Sequence, residues 1–315
     1  LNEVADAIAA QLENPEILVG FGGPMIALSQ RPDELEVFFR SYPFVDVVVH
    51  GMGEWAFAEL LQSRLAGGGW EGIAGLSYRA PDVAEGFVST APPIYSRNLN
   101  EISSPFLDGT FEEVLQRDGD HITGALWETN RGCPFQCAFC VQGDAIFSRV
   151  LLFDTQRLYE ELEWLSRHKT EYVFATDANF GIKDRDYDIA RKIAQLRKHT
   201  GYPQYFVVNW MKNSSKKILR AAEVLREGGI PARMTLSRQS FNEETLAAVK
   251  RRNIQLSTYD EMKREASKKN VASYTELILG LPKDTYQTFV ESVEKSMDKH
   301  LTHVFIVYLC RLLDG

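Results

Sequence analysis

The stretch Ala125-Leu-Trp-Glu-Thr129-Asn-Arg-Gly-Cys133-Pro-Phe-Gln-Cys137-Ala-Phe-Cys140 runs from a short β-prone segment straight into three cysteines within eight residues. Four cysteines in 315 residues, three of them clustered, do not make a disulfide framework for an oxidising compartment. They read as a metal site. Thiolates spaced three and then two residues apart on one tight loop can each cap one iron of a cubane and leave the fourth iron open, whereas electron-transfer clusters usually take four cysteines. Two other readings remain. Zinc would more typically use two C-x2-C pairs or nearby histidines. A closed cluster would recruit Cys310, which follows the apolar run Val304 to Leu309 and otherwise reads as a buried structural thiol.

Outward from the cysteines, strands and helices alternate. Strands are predicted at Ala125–Thr129, Tyr172–Ala175, Tyr205–Asn209, Ala232–Ser237, Tyr274–Leu279 and Val304–Tyr308. Helices fall between them, at Thr155–His168, Asp184–His199, Ser214–Glu227, Glu243–Arg251 with Thr258–Lys268, and Thr285–Lys299. Units of this length imply parallel strands joined by crossovers, hence an α/β fold built as a partial (β/α)6 TIM-type barrel over residues 122–315. The cysteine loop then sits at the C-terminal end of the first barrel strand, where such barrels keep their chemistry.

Upstream, an amphipathic Leu1 to Leu12, the run Ile17 to Val19 and the glycines Gly20, Gly22 and Gly23 give way to a helix over Pro32–Arg40. The β-branched run Val45 to Val49 is followed by Gly51-Met52-Gly53-Glu54 at the head of another helix, and a hairpin over Ile73–Arg79 and Phe87–Thr90 closes the region. Residues 1–91 therefore read as an α/β region with glycine loops at strand ends. Residues 92–121, with Pro92, Pro93 and Pro105 and no clear periodicity, read as a linker.

A hydrophobic fraction of 44% with 25% charged residues is ordinary for a globular protein, and no run approaches the ~18 apolar residues of a membrane span. A net charge of −8 argues against nucleic acid as a partner. Lys216-Lys217 with Arg220, and Lys250-Arg251-Arg252, read as solvated helix faces. With no charged and apolar leader at Leu1, a cytoplasmic location is expected.

The C-x3-C-x2-C spacing with Phe139 just before the last cysteine resembles the signature of the radical S-adenosylmethionine superfamily. The resemblance implies a [4Fe-4S] cluster on Cys133, Cys137 and Cys140. S-adenosyl-L-methionine would chelate the open iron and be cleaved by one electron to a 5′-deoxyadenosyl radical, with Phe139 near the adenine. Asp177 and Asn179, in Ala175-Thr-Asp177-Ala-Asn179-Phe-Gly181 after the second strand, look like the segment that binds the methionyl amine. Ser237 and Gln239, in Ser237-Arg238-Gln239-Ser240, offer groups suited to ribose hydroxyls and a carboxylate. Gly280, ahead of Leu281-Pro282, resembles the turn where the backbone approaches the adenine.

Residues 1–91, ahead of the barrel, look like the C-terminal part of a Rossmann-like cobalamin-binding domain. By that resemblance Gly22, Gly23, Gly53 and Glu54 border the nucleotide tail of the corrinoid, and the D-x-H-x-x-G and S-x-L segments would precede Leu1. This order of domains implies a cobalamin-dependent radical enzyme, with methyl transfer to an unactivated carbon of a small-molecule substrate as the expected reaction. A flavodoxin- or ferredoxin-type protein would be the external one-electron reductant. No side chain is singled out as an acid or base. A radical cyclase or rearrangement enzyme with the same cofactors is the alternative, and an iron–sulfur electron-transfer or structural metal-binding protein is the alternative from another class.

Overall fold

The computed structural model describes residues 14, 17–23, 31–84, 86–96, 98–140, 142, 148–211, 216–297 and 304–311. The amphipathic stretch Leu1 to Leu12 lies outside them. The chain divides into two compact units, one formed by the described residues ahead of Asn98 and the other by Asn98–Arg311.

In the first unit, β1 (Gly20–Gly22) pairs in parallel with β2 (Val47–Val49), with Gly22 opposite Val49. Strand β2 then pairs antiparallel with β3 (Leu76–Arg79), and β3 with β4 (Phe87–Ser89). All three residues of β2 are buried, because both faces of the strand are covered. Val48 packs in a cluster with Leu35 and Phe39 of helix α1 (Pro32–Ser41), while Val47 and Val49 pack with Ala56 and Leu60 of helix α2 (Glu54–Leu65). Arg79 closes the C-terminus of α1: its guanidinium donates to the carbonyls of Phe39 (2.9 Å) and Tyr42 (3.1 Å). Those carbonyls would otherwise have no intrahelical donor.

The second unit carries two parallel three-stranded sheets. One has the order β5 (Gly124–Trp127), β8 (Tyr172–Phe180), β9 (Tyr205–Trp210), the other β10 (Arg233–Thr235), β11 (Ala272–Leu279), β12 (Val304–Leu309). A short antiparallel pair, β6 (Asn130–Arg131) with β7 (Leu151–Leu152), flanks the cysteine loop. Helices cross between the strands as the sequence predicts: α4 (Thr155–Arg167), α5 (Arg185–Thr200), α6 (Lys216–Glu227), α7 (Glu243–Ala248), α8 (Leu256–Lys268) and α9 (Tyr286–Met297). Helix α4 starts at Asp154, whose carboxylate accepts from Gln156 N (2.9 Å) and Arg157 N (3.2 Å). Its buried residues Leu158, Glu161, Leu162 and Leu165 recur at the spacing of one helix face. The α/β class therefore holds. No ladder among the described residues joins the two sheets into a closed barrel.

Two expectations change. Residues 98–121 are packed structure belonging to the second unit. Helix α3 (Thr110–Asp118) follows Phe106, which is buried against Trp164 of α4 with ring centroids 5.5 Å apart. Glu112 accepts from Trp164 Nε1 at 2.9 Å and meets His168 Nε2 at 3.2 Å. The second strand also runs five residues further than predicted, through Phe180, with its register against β9 shifting between Ala175 and Phe180. Its buried face continues the two-residue alternation through Val173, Ala175, Asp177 and Asn179, so the last two are strand residues.

Candidate active site at the cysteine loop

The cysteine loop leaves β6 and is bound to its surroundings through backbone and side chains. Ala138 N donates to Val249 O (3.0 Å) and Cys140 N to Cys137 O (3.0 Å). All three thiols are free; Cys133 and Cys137 are buried and Cys140 is half-buried. They line one cavity of about 230 Å³, together with Phe135, Phe139, Asn179, Asn209, Tyr274 and Glu276 among others. Residues from both parallel sheets therefore reach one space. Two sulfurs have a nitrogen donor: Asn179 Nδ2 stands 3.1 Å from Cys133 Sγ, and an Arg251 guanidinium nitrogen 3.8 Å from Cys137 Sγ. Phe139 packs partly on Val249, Ile278 and Leu281 and keeps one side on the cavity.

Asp177 has a different setting from the one expected. It is almost wholly buried and does not border the cavity. One carboxylate oxygen accepts from the backbone N–H groups of Thr129 (2.7 Å) and Asn130 (3.1 Å). The other accepts from the Thr129 hydroxyl and from Asn130 Nδ2 (2.9 Å). Burial nevertheless dominates and pushes its carboxyl up to about 6, with the Thr129 and Asn130 donors opposing. Asp177 thus ties β8 to the segment entering the cysteine loop, with its acceptor positions occupied by protein.

The β10 end also departs from expectation. Ser237 Oγ and Gln239 Nε2 both donate to Glu276 Oε2, the latter at 3.4 Å, and of these three residues Glu276 is the one that lines the cavity. Gln239 holds a positive φ of 67° while its backbone bonds to Glu276 O and Ile278 N, both at 2.8 Å. The Arg238 guanidinium turns away from the cavity, donating to Ile254 O at 2.6 Å and lying over the rings of Phe241 and Tyr259. Gly280 has a φ of +90°, which accounts for a glycine there, and is not among the cavity-lining residues. Cys310 is half-buried against the Val249–Ile278–Leu281 cluster and is likewise absent from the lining.

Arg251 corrects the reading of Lys250-Arg251-Arg252 as a solvated face. Lys250 and Arg252 are exposed, but Arg251 is only 5% exposed and donates to Ser237 O (3.1 Å) and Asn253 Oδ1 (2.9 Å) as well as to Cys137 Sγ. Glu276 was also missed. Its signal was present, as a carboxylate inside the apolar run Tyr274 to Leu279 at the alternation that points with Tyr274. In the first unit, Gly22 and Gly23 follow one another at the C-terminal end of β1, and Gly53 and Glu54 open α2 just beyond the neighbouring parallel strand.

Residues 127–295, more than half of the chain, match the radical SAM superfamily. The chain is 40% identical over 283 residues to 2-(S-pantetheinyl)-carbapenam-3-carboxylate methyltransferase of Streptantibioticus cattleyicolor, covering 89% of this chain and 40% of that protein. It is 37% identical over 284 residues to the cobalamin-dependent radical SAM methyltransferase TokK of Streptomyces tokunonensis, with the same coverage. It thus spans about two-fifths of the length of these curated relatives. Among solved structures, the radical S-adenosylmethionine methyltransferase TsrM from Kitasatospora setae, with cobalamin and a [4Fe-4S] cluster bound, shares its fold. The TM-score is 0.68 at 20% identity, covering 94% of this chain and 56% of that one. With its three cysteines on one cavity and the family match over residues 127–295, the chain belongs to the radical S-adenosylmethionine superfamily.

Proposed function

We propose that this chain is the central part of a cobalamin-dependent radical S-adenosylmethionine methyltransferase acting on an unactivated carbon of a small molecule. The observation that carries the reading is the donor set on the cysteine loop. An amide and a guanidinium aimed at two of three cavity-lining sulfurs suit thiolates that cap iron, and a structural thiol gains nothing from a buried cation beside it. Cys133, Cys137 and Cys140 would hold a [4Fe-4S] cluster. The chemistry such a cluster supplies when bound is one-electron cleavage of S-adenosylmethionine, and that of a corrinoid is methyl carriage.

The chain's own residues bind and orient. Phe139 offers an aromatic face to an adenine. Glu276, backed by Ser237 and Gln239, offers a carboxylate oxygen to a hydroxyl or ammonium group, and Asn209 adds an amide on the opposite sheet. The two parallel sheets correspond to two halves of a partial (β/α)6 TIM-type barrel with this cavity at its C-terminal mouth. The first unit is read as the C-terminal part of a Rossmann-like cobalamin-binding domain. Its fit rests on Gly23, whose φ of +100° suits a glycine and beside which no atom of the described residues, its chain neighbours apart, lies within 4 Å of where a Cβ would stand. Among the described residues no helix is long and apolar enough to cross a membrane. An oxygen-sensitive cluster and a one-electron protein reductant fit a reducing cytoplasm.

The test is anaerobic purification of the full-length protein with iron and corrinoid analysis, followed by product mass. Iron, corrinoid, 5′-deoxyadenosine formation and a product heavier by one methyl group are expected. A product of unchanged mass would indicate cyclisation or rearrangement, and a reduced cluster that leaves S-adenosylmethionine intact would return the protein to electron transfer.

A further inference from the structure

Arg251 presents an electrostatic problem that the cysteine loop solves. A guanidinium is always charged, and burying it is costly unless an anion or a full set of acceptors compensates. Arg251 is 95% buried by the 5% of its surface that remains exposed. Its hydrogen-bond partners are an amide oxygen of Asn253, the backbone carbonyl of Ser237 and the sulfur of Cys137. The first two are neutral, and the third is the sulfur of a proposed cluster ligand, so the guanidinium charge is held beside an atom that would bind iron.

The position is also held rigidly. Val249 O accepts from Ala138 N (3.0 Å), Asn253 Nδ2 donates to Arg238 O (2.7 Å), and Arg251 N bonds to Leu246 O (2.8 Å). The segment after α7 is therefore pinned to the cysteine loop on one side and to the end of β10 on the other. Arg251 has little freedom to swing away from Cys137.

We propose that Arg251 poises the redox potential of the cluster: its buried positive charge beside Cys137 Sγ stabilises the reduced form, so that an external one-electron donor can deliver the electron. The proposal rests on the reading of Cys133, Cys137 and Cys140 as a cluster site. Net charge and hydrogen bonds to the sulfurs are two of the properties that set iron–sulfur potentials. A fixed cation in a region of low dielectric favours the state with one more negative charge. Arg251 is a positioning residue that acts through Cys137.

The experiment reconstitutes the full-length protein anaerobically with iron and sulfide and follows the cluster by potentiometric titration with EPR detection, without S-adenosylmethionine. Arg251→Gln is expected to keep the wild-type iron content while its midpoint potential moves to more negative values, and Arg251→Lys to recover more than half of that shift. An unchanged potential in a fully loaded Arg251→Gln protein overturns the proposal. Should Arg251→Gln load no iron, Arg251→Lys and Arg251→Ala with dilute guanidinium salt decide. Iron returning with either cation supports charge compensation, and iron returning with neither overturns it. A wild type that takes up no iron sinks the cluster reading itself, which separates the two failures.

Discussion

Strands β8 and β11 each bring a carboxylate to the same end of the second unit, and they put it to opposite uses. Asp177 on β8 is enclosed, and four donors from Thr129 and Asn130 occupy its oxygens. Glu276 on β11 is backed by two side-chain donors on one oxygen and borders the cavity. The first carboxylate holds the protein to itself; the second is left for a ligand. A buried acid at a strand end is thus not by itself a binding group, because what matters is whether its acceptor positions are already taken.

The largest expected effect lies outside both carboxylates. Replacing Cys133, Cys137 or Cys140 by Ala should abolish the cluster, read as iron content and visible absorption, whereas Cys310→Ala should leave it intact. Cluster loss in Cys310→Ala would revive a closed four-cysteine site. Next, Asp177→Ala should destabilise the fold by about 3–5 kcal/mol in denaturant titrations, because it strands several buried donors at once. A loss under about 1 kcal/mol would move Asp177 from the structural to the ligand-binding side of the comparison.

The same carboxylate predicts a pH dependence. Its folded value of about 6 lies above the ordinary 3.8, so between those values the folded state binds more protons than the unfolded one. Stability should therefore fall as pH rises from about 4 to about 6, by up to about 3 kcal/mol from this group, and level off above. Asp177→Asn should flatten part of that slope in a pH series of the apoprotein. Some slope will remain, since burial raises Asp186 as well. The smallest effect is expected at Glu276→Gln, with stability near wild type and affinity for S-adenosylmethionine down roughly tenfold, as for one charge-assisted hydrogen bond. Unchanged affinity by calorimetry would remove Glu276 from the binding site.

The cysteine loop and the alternation of strands and helices were legible because both are local. Metal-ligand spacing is written along the chain, and periodicity needs only a window of neighbours. Helix α3 was not legible. Its apolar residues Phe111, Val114 and Leu115 are only partly buried, and its anchors Trp164 and His168 lie more than fifty residues away. Arg251 failed for the same reason, since two flanking exposed cations make it look solvated, while its partners include Ser237 O, 14 residues earlier, and Cys137 Sγ, 114 residues earlier. Asp177 was read as lying just beyond its strand and facing a ligand amine, whereas it sits within β8 with its oxygens taken by Thr129 and Asn130, because a sequence does not tell which donors reach a carboxylate first.

The docking of α3 on α4 also bears on how such proteins can be recombined. Phe106, Glu112 and their contacts with Trp164 and His168 travel with the cysteine-bearing unit, although they precede its first strand. A chimaera that exchanged the upstream unit for that of a relative should therefore be spliced just ahead of Asn98. Splicing at residue 122 would leave the indole of Trp164 uncovered, so a graft designed from the strand pattern alone would inherit an aggregation-prone surface.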